Sequence, residues 1–269
     1  MLSLTVDQHK EVLQQLVNLG ERISNGVPDN HLEIGYTSLM VSFLLHNLTA
    51  ARSIVQLSNS FGDEWFPASV CYTIARTMFE VDVTAHYIAK SPAEHVRQYI
   101  DFTAVLNKKE MGACKKNRNS EKPGWQEPME SLWQNYWANR ESEIERKYKI
   151  VIPQFTRTDK KGKTSVFQNW SGKTILQMAS EVDHTEAYDV FYSELSSFAH
   201  ANVRLADRYL QHRTDGPVWS QKAREFDVGN VFRYAANFLT CHLELFGQQF
   251  NTWTETEVSD CWKDTSSRA

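Results

Sequence analysis

Glycine and proline are scarce in this chain of 269 residues, which has 11 of the first and 7 of the second. Folds built mainly from β-strands need many tight turns, and those turns depend on glycine and proline. The scarcity therefore favours long helices. The cysteines are also few and far apart, and no C-x-x-C pair occurs among Cys71, Cys114, Cys241 and Cys261. This excludes a standard zinc knuckle, argues against a disulfide scaffold and fits a reducing cytoplasm best.

An excess of positive charge is absent too, since the formal net charge is -4. A protein that coats nucleic acid without sequence preference needs a basic surface for the phosphates, so the charge gives no sign of that function. No signal peptide is visible at the N-terminus. The longest apolar run, residues 39–45, is interrupted by Ser42 and is far shorter than the roughly 20 residues of a membrane-spanning helix. We expect a cytoplasmic protein without a membrane partner.

Apolar residues recur at spacings of three and four along most of the chain, which predicts helices. The predicted helices span about 6–24, 31–59, 65–89, 93–116, 126–149, 186–212 and 224–250, with a short one from residue 173. Between residues 150 and 172 the pattern breaks, and two short apolar runs, 150–153 and 165–167, favour a small hairpin. The expected fold class is all-α: a multi-helix bundle with one short irregular or hairpin excursion near residues 150–172. We expect one domain over 1–250 and a polar C-terminal tail over 251–269.

The third predicted helix is apolar on nearly all sides, yet it carries Arg76 and Glu80 four residues apart, and Asp82 and His86 with the same spacing. A buried charge is costly unless it is paired. Arg ahead of Glu is the less favourable order for an exposed helical pair, so surface stabilisation does not explain it. One interpretation is an ion pair that joins this helix to a neighbour. The other is an internal pocket lined by Arg76 and Glu80, with Arg76 offered to an anion.

The helix over 186–212 carries a second group of polar residues. At 100° per residue, Ser197, His200 and Arg204 fall on one face, opposite an apolar face that includes Phe198. A hydroxyl, an imidazole and a guanidinium on one face would position a phosphodiester, transfer protons and stabilise developing charge. The alternative interpretation is that this polar face is simply an exterior face of the helix in contact with water. No acidic residue is visible that would orient His200, so a Ser–His–acid triad is not predicted.

Metal and cofactor motifs are missing. Residues Glu181 to His184 fit the Glu-x-x-His pattern of di-iron bundles, but that chemistry needs the motif twice and no second copy exists. No phosphate-binding glycine loop of the G-x-x-x-x-G-K-[ST] or G-x-G-x-x-G type is present. The sequence therefore predicts no metal site and no cofactor.

Three separated motifs carry a family resemblance. They are Arg76-x3-Glu80, then Asn169-Trp-Ser-Gly-Lys173 with Ile175 and Met178, then Tyr188-x3-Tyr192-x4-Ser197-x2-His200. In this order they resemble the bacterial family catalogued as domain of unknown function 5677. The resemblance implies an all-helical bacterial protein, and it implies no established activity. It also supports a role for the histidine that ends the third motif.

A looser similarity is to the helical HEPN group, which includes many ribonuclease toxins of bacterial defence systems. Its signature is an Arg and a following His with four to six residues between them, placed at a dimer groove. This chain departs from it, because the gap from Arg208 to His212 is too short, the gap from Arg76 to His86 is too long, and His200 and Arg204 stand in the inverted order. A ribonuclease role for this chain is therefore an analogy with that group and nothing more.

Two functional hypotheses follow. The first is a metal-independent, nuclease-like or defence-type enzyme acting on a phosphodiester, with His200, Arg204 and Ser197 as catalytic residues. The second is a non-catalytic helical module that binds a ligand or a partner protein, with Arg76, Glu80 and Tyr192 as pocket residues. Expected partners are RNA or another phosphate-bearing ligand, and a second copy of the chain. Convergence of these residues on one concave site would favour an enzyme or a ligand receptor.

Overall fold

The computed structural model describes residues 4–26, 35–118, 124, 126–199, 210–213, 216–220, 222–252 and 255–266. The chain folds into two compact units. Unit 1 comprises residues 1–90 and 175–269, and unit 2 comprises residues 91–174. The domain predicted over residues 1–250 thus spans both units.

Unit 1 begins with helix α1 (Val6–Asn25), whose start is fixed by side chains. The Thr5 hydroxyl accepts a hydrogen bond from the Gln8 amide at 3.2 Å, and the Gln8 side chain accepts one from the Thr5 amide at 2.8 Å. This reciprocal pair satisfies two amides that the first helical turn leaves without partners. One apolar face is buried, with Val12, Leu13 and Leu16 inaccessible to solvent.

Helix α2 (Tyr36–Phe61) is long and apolar enough to cross a membrane, by length and composition only, and it is the one such helix among the described residues. Its contacts are those of a core helix. It packs against α1 and the helix that follows it, its Arg52 pairs with Glu21 of α1, and its Asn47 is completely buried. The Asn47 amide donates to the Met78 carbonyl of α3 at 3.4 Å, so this buried polar group has a partner inside unit 1.

Two further helices complete the centre of unit 1. Helix α3 (Ala68–Lys90) and helix α10 (Glu225–Phe250, numbered by its position in the chain) pack against each other and against α2, and α10 also packs against α1. Both bury large side chains, Tyr72 and Phe79 from α3 and Phe232 and Phe246 from α10. The predicted bounds of these two helices agree with the structure to within three residues. The all-α fold class is confirmed.

The segment after residue 174 is less regular than the sequence predicts. It contains α7 (Ile175–Glu181), α8 (Thr185–Ala187), a π-helical turn (Tyr188–Tyr192) and α9 (Ser193–Ala199). The helix predicted to continue to residue 212 is wrong at its end. Residues Leu210–Arg213 form strand β3, which pairs antiparallel with strand β4 (Gly216–Trp219), Leu210 opposite Trp219.

Unit 2 contains α4 (Pro92–Asn117), α5 (Gln126–Leu132) and α6 (Glu141–Val151). A π-helical turn (Trp133–Trp137) and a 3₁₀ turn (Ala138–Arg140) join α5 to α6. The predicted hairpin exists as β1 (Thr156–Thr158) and β2 (Thr164–Val166), Thr156 opposite Val166. Residues 150–153 belong to the end of α6 and a 3₁₀ turn (Ile152–Phe155) and not to a strand.

The C-terminal segment, predicted as a polar tail, contains a helix, α11 (Glu255–Ser266). It packs on α1 and α10. Val258 is 2% exposed, and the Trp262 indole donates to the Thr240 hydroxyl at 3.0 Å. These two side chains explain why a mostly polar segment forms an ordered helix: its few apolar groups lie on one face and are covered by unit 1.

Candidate functional site

Three of the residues predicted for a pocket meet in unit 1 and form a closed hydrogen-bonded group, named here the Arg–Glu–Tyr cluster. Arg76 Nε donates to Glu80 Oε1 at 2.8 Å, and an Arg76 terminal nitrogen donates to the Tyr192 hydroxyl at 3.0 Å. The Tyr192 hydroxyl donates in turn to Glu80 Oε1 at 3.0 Å. Arg76 and Glu80 come from α3, and Tyr192 ends the π-helical turn. The cluster thus fixes that turn against α3.

The cluster is partly buried. The sequence predicts that Arg76 and Glu80 are largely buried and paired; the pairing is present, but their side chains keep 18% and 32% of their exposure. Burial alone would lower the pKa of Arg76, but the Glu80 charge and the Tyr192 hydroxyl raise it overall. Burial and the adjacent Glu80 carboxylate raise the pKa of Tyr192. Arg76 therefore stays charged, and Tyr192 stays a neutral hydroxyl that can donate to Glu80.

The predicted catalytic group is described only in part. Ser197 is 3% exposed, so this end of the predicted polar face is not in contact with water. Its hydroxyl donates to the Glu194 carbonyl at 2.7 Å, within its own helix. His200 and Arg204 lie outside the described residues. The structure therefore brings together Arg76, Glu80 and Tyr192, and among the described residues it shows no acid or base at the Ser197 hydroxyl.

A second cluster on α3 surrounds Asp82 and is named here the Asp–His cluster: Asp82, His86, His184 and His242. Asp82 is 1% exposed. His86 Nδ1 lies 3.2 Å from its Oδ1, His184 Nε2 lies 3.2 Å from its Oδ2, and His242 Nδ1 lies 3.5 Å from its Oδ1. The ring centroids of His86 and His184 are 4.5 Å apart. Helix α3, the turn before α8 and helix α10 thus contribute one histidine each.

The electrostatics of this cluster favour a charged carboxylate. Burial alone would raise the pKa of Asp82, but the charge of His86 and the contacts with His184 and His242 hold it well below its usual value. Burial alone would lower the pKa of His86, but the attraction of Asp82 raises it overall. The carboxylate is therefore ionised in the buried cluster, and His86 is the histidine whose positive charge it favours.

A tight turn after α7 brings His184 to Asp82. The amides of Val182 and His184 both donate to the Ala179 carbonyl, at 3.2 and 2.8 Å. Asp183 between them has a φ of 60°, in the left-handed region that residues other than glycine rarely adopt. Such backbone strain persists only where the surroundings fix it. Glu181, which the Glu-x-x-His pattern places beside His184, is exposed and does not belong to the cluster.

A cavity of about 920 Å³ lies elsewhere in unit 1. Its wall is aromatic and apolar, and Trp65 and Phe61 remain 50% and 52% exposed. Its floor is formed by Tyr72 and Phe198, whose rings stack at a centroid distance of 4.2 Å. Arg76, Glu80 and Tyr192 are not among its lining residues. The cavity and the Arg–Glu–Tyr cluster are therefore separate features.

One end of the cavity is polar. Arg224 Nε donates to Asp227 Oδ2 at 2.8 Å, and the Tyr72 hydroxyl donates to Asp227 Oδ1 at 3.3 Å. Lys222 also lines the cavity and forms an ion pair with Glu64. Helices α3 and α10 both begin at this cavity, because Ala68 and Arg224 line it. The positive ends of two helix dipoles therefore lie near two cationic side chains.

The sequence predicts none of these cavity residues. Asp227 carries the one signal that was available, since it is an acid in the first turn of an apolar helix with Arg224 three residues ahead. A buried acid at such a position needs partners, and Arg224 and Tyr72 supply them. The aromatic wall gives no such signal, because aromatic residues at helical spacing are indistinguishable from ordinary core residues.

The Asn169–Lys173 motif forms a compact turn in unit 2. The Asn169 side chain donates to the Lys173 carbonyl at 2.6 Å, and the Ser171 hydroxyl donates to Asn169 Oδ1 at 3.2 Å. Trp170 is 8% exposed and packs edge-on to Tyr99. These contacts give the motif a structural role in unit 2.

Comparison with known proteins gives one match. The model of a family described as a family of unknown function, DUF5677, matches residues 37–217, which is more than half of the chain. The match confirms the resemblance that the three motifs indicate, while the looser similarity to the HEPN group stays a prediction. No curated protein and no solved structure matches the chain.

Proposed function

The chain belongs to the family of unknown function DUF5677, and we propose from its own geometry that it is a ligand-binding helical module. Its ligand is a small molecule with a flat apolar body and a phosphate or another anionic group. The observation that carries the proposal is the aromatic cavity of about 920 Å³ with Arg224 at one end. Ligand sites typically have volumes of about 300–1,000 Å³, mostly apolar walls and a few placed polar groups.

The wall selects the flat apolar body. Trp65 is half exposed although it is among the largest apolar side chains of the chain, and Phe61 and Val70 beside it are 52% and 53% exposed. Large apolar side chains gathered in one exposed concave surface mark binding sites, whereas scattered ones do not. A ring seated against Trp65 would gain the offset stacking that aromatic pairs favour.

The polar end selects the anion. Lys222 and Arg224 carry positive charges among the lining residues, and each is paired with one carboxylate, Lys222 with Glu64 and Arg224 with Asp227. The amide ends of α3 and α10 also line the cavity and add partial positive charge, which is the usual setting for a bound phosphate. Arg224 keeps 42% of its side-chain exposure while it pairs with Asp227, so its guanidinium can contact a ligand without unfolding the site.

The test compares three probes in calorimetric titrations: AMP, adenosine, and ribose 5-phosphate. We expect AMP to bind more tightly than either part, because only AMP uses both ends of the cavity. Trp65→Ala should weaken binding of AMP and adenosine, and Arg224→Gln should weaken binding of AMP and ribose 5-phosphate. Tyr136→Ala and Arg22→Gln, at exposed positions that do not line the cavity, are the matched controls.

Two results would contradict the proposal. The first is unchanged binding of all three probes by both cavity variants. The second is cleavage of single-stranded RNA that His200→Ala abolishes while its melting temperature stays unchanged, since that would support the phosphodiester-acting enzyme. The enzyme, ribonuclease and defence readings depend on His200 and Arg204, which lie outside the described residues. The described geometry of Ser197, bonded within its own helix, gives them no support.

We also propose that the protein lies in the cytoplasm. The four cysteines are free, and Cys71 and Cys114 are buried. Secreted chains usually pair their cysteines, because an oxidising compartment forms and keeps disulfides. A free set that includes two buried thiols supports a reducing compartment.

A further inference from the structure

We propose that Asp82, His86 and His184 form a binding site for a divalent transition-metal ion. One ligand atom from each of these three side chains lies within 4.8 Å of the other two. The inference is independent of the ligand cavity. It rests on the hydrogen-bond accounting of the Asp–His cluster, on its distances and on its partial opening to solvent.

The carboxylate of Asp82 has three histidine nitrogens at ion-pair distance, but among the described residues it accepts no well-aligned hydrogen bond. Both of its oxygens are buried and accept no hydrogen bond of acceptable geometry from the described part of the chain. The neighbouring histidine nitrogens are at ion-pair distance, but they are not aligned as donors. A buried ionised carboxylate in a native protein is paired, hydrogen-bonded or bound to a metal ion. Both Asp82 oxygens are therefore available to bind a cation.

The tautomer of His184 points to the same conclusion. Its Nδ1 lies 2.7 Å from the Val182 carbonyl, which accepts hydrogen bonds only, so Nδ1 carries the proton. In the neutral ring Nε2 then has a lone pair, and this lone pair faces Asp82 Oδ2 at 3.2 Å. A metal ion between the two atoms would turn this repulsion of facing lone pairs into two bonds. A histidine that donates Nδ1–H to a backbone carbonyl and offers Nε2 is the usual arrangement of a metal ligand.

The distances suit a first-row ion. Ligands about 2.0–2.1 Å from a tetrahedral Zn²⁺ are separated from each other by roughly 3.3 Å. The separation from Asp82 Oδ1 to His86 Nδ1 and that from Asp82 Oδ2 to His184 Nε2 are both 3.2 Å, one to each oxygen of the carboxylate. Two imidazoles and one carboxylate match the three-ligand sets that hold Zn²⁺ or iron with a position left open, and imidazole donors disfavour Mg²⁺ and Ca²⁺.

The cluster opens toward solvent on one side. The side chains of His86 and His184 are 20% and 17% exposed, whereas those of Asp82 and His242 are 1% and 0% exposed. An ion would enter past the first two rings. His86 Nδ1 also lies 3.0 Å from the Asp82 carbonyl. An ion bound at Nδ1 would therefore replace that contact and release the Nδ1 proton to solvent.

His242 lies behind the carboxylate, on the buried side of the cluster, and is not assigned as a ligand. The Asn47 amide nitrogen lies 3.4 Å from the Met78 carbonyl and 3.4 Å from His242 Nδ1. The carbonyl accepts only, so the amide orientation is set, and Asn47 can donate its second hydrogen to His242 Nδ1. That nitrogen is then occupied. His242 closes the buried side of the cluster.

The experiment uses the full chain without a histidine tag, stripped with EDTA and titrated with Zn²⁺. We expect one Zn²⁺ per chain and a rise in melting temperature on addition of the ion, since the folded state binds it. His86→Ala, His184→Ala and Asp82→Asn should each weaken Zn²⁺ binding by at least about 100-fold. Loss of a residue that only orients a metal ligand costs about 10–100-fold in metal affinity, and loss of the ligand itself should cost at least as much. His46→Ala, at an exposed histidine outside the cluster, is the matched control and should bind as the wild type.

A second measurement removes the dependence on folded variants. X-ray absorption at the zinc edge of the loaded wild-type chain should show scattering from two imidazoles and an oxygen shell without sulfur. A zinc spectrum without imidazole scattering would overturn the proposal. Folded His86→Ala and His184→Ala variants that bind Zn²⁺ as tightly as the wild type would overturn it as well.

Discussion

The ring of Phe198 lies flat against the ring of Tyr72, with centroids 4.2 Å apart and planes 10° apart. Phe198 belongs to α9 and Tyr72 to α3, so the stacked pair joins two helices that are distant in sequence. The Tyr72 hydroxyl then reaches Asp227 of α10. One stacked pair and one hydrogen bond therefore hold three helices together at the floor of the cavity.

Phe198→Ala should lower the free energy of unfolding by about 3–5 kcal/mol, because it removes a buried aromatic ring and leaves a void beside Tyr72. Denaturant unfolding followed by circular dichroism measures this loss. Phe226→Ala is the control, since Phe226 is 66% exposed and its removal should change stability by less than about 0.5 kcal/mol. Equal losses for the two variants would contradict the assigned packing.

The regular helices could be predicted because their signal is local. The apolar residues of α1 and of α10 recur at helical spacing along the whole of each helix, so the predicted bounds agree with the structure within a few residues. The two π-helical turns and the β3–β4 hairpin could not be found in that way. A π turn changes the helical phase by one residue: in the first of these turns Trp133 and Trp137 are buried, whereas Tyr136 is 47% exposed.

The candidate site was predictable only where its residues share a helix. The spacing of four joins Arg76 to Glu80 and Asp82 to His86, and both pairs are present in the structure. His184 follows α7 on a strained turn, and His242 lies far along α10. Their approach to Asp82 depends on how the helices pack, which no motif in the sequence encodes. The prediction of no metal ligands rested on motif spacing, and this cluster has no motif.

Tyr192→Phe should lower the free energy of unfolding by about 1–2 kcal/mol, because it removes a hydroxyl that makes two bonds to charged groups and keeps the ring. Thermal and denaturant unfolding both measure the change. A double-mutant cycle with Glu80→Gln should give a coupling of about 0.5–3 kcal/mol. Tyr188→Phe is the matched control, since Tyr188 stacks on Tyr192 outside the hydrogen-bonded group. Additive single and double variants would show that the Arg–Glu–Tyr cluster does not act as a unit.

Cys71 should be unreactive in the folded chain. Burial raises the pKa of its thiol to about 12. At pH 8 its thiolate fraction is then roughly one in ten thousand, whereas a free cysteine with a pKa near 8.5 has roughly one in four. The fraction rises tenfold for each pH unit until the pKa is reached, so labelling of Cys71 should stay slow below about pH 11.

Labelling with a chromogenic disulfide at pH 8 measures this difference. Burial also raises the pKa of Cys241, to about 12, and the pKa of Cys114. Cys241 and Cys261 are both partly exposed, so the raised pKa is what should keep Cys241 slow. The native chain should therefore show one fast thiol, which Cys261→Ser removes and Cys71→Ser leaves in place. All four thiols should react in guanidinium. A fast phase that disappears in Cys71→Ser would refute the assigned burial.

Two glycines of unit 2 should respond to alanine in opposite directions. Gly172 has a φ of 66°, and a Cβ built on it would lie 2.8 Å from the Phe167 ring, so Gly172→Ala should destabilise the protein by about 1–3 kcal/mol. Gly112 lies within α4 with nothing within 4 Å of its Cβ position, so Gly112→Ala should stabilise it by about 0.5–1 kcal/mol. Both changes add the same methyl group to the same unit, so the difference between them isolates the local backbone and the space around it. Unfolding curves of the two variants measure the signs directly. A Gly172→Ala variant as stable as Gly112→Ala would mean that the Asn169–Lys173 turn does not hold the left-handed backbone described for it.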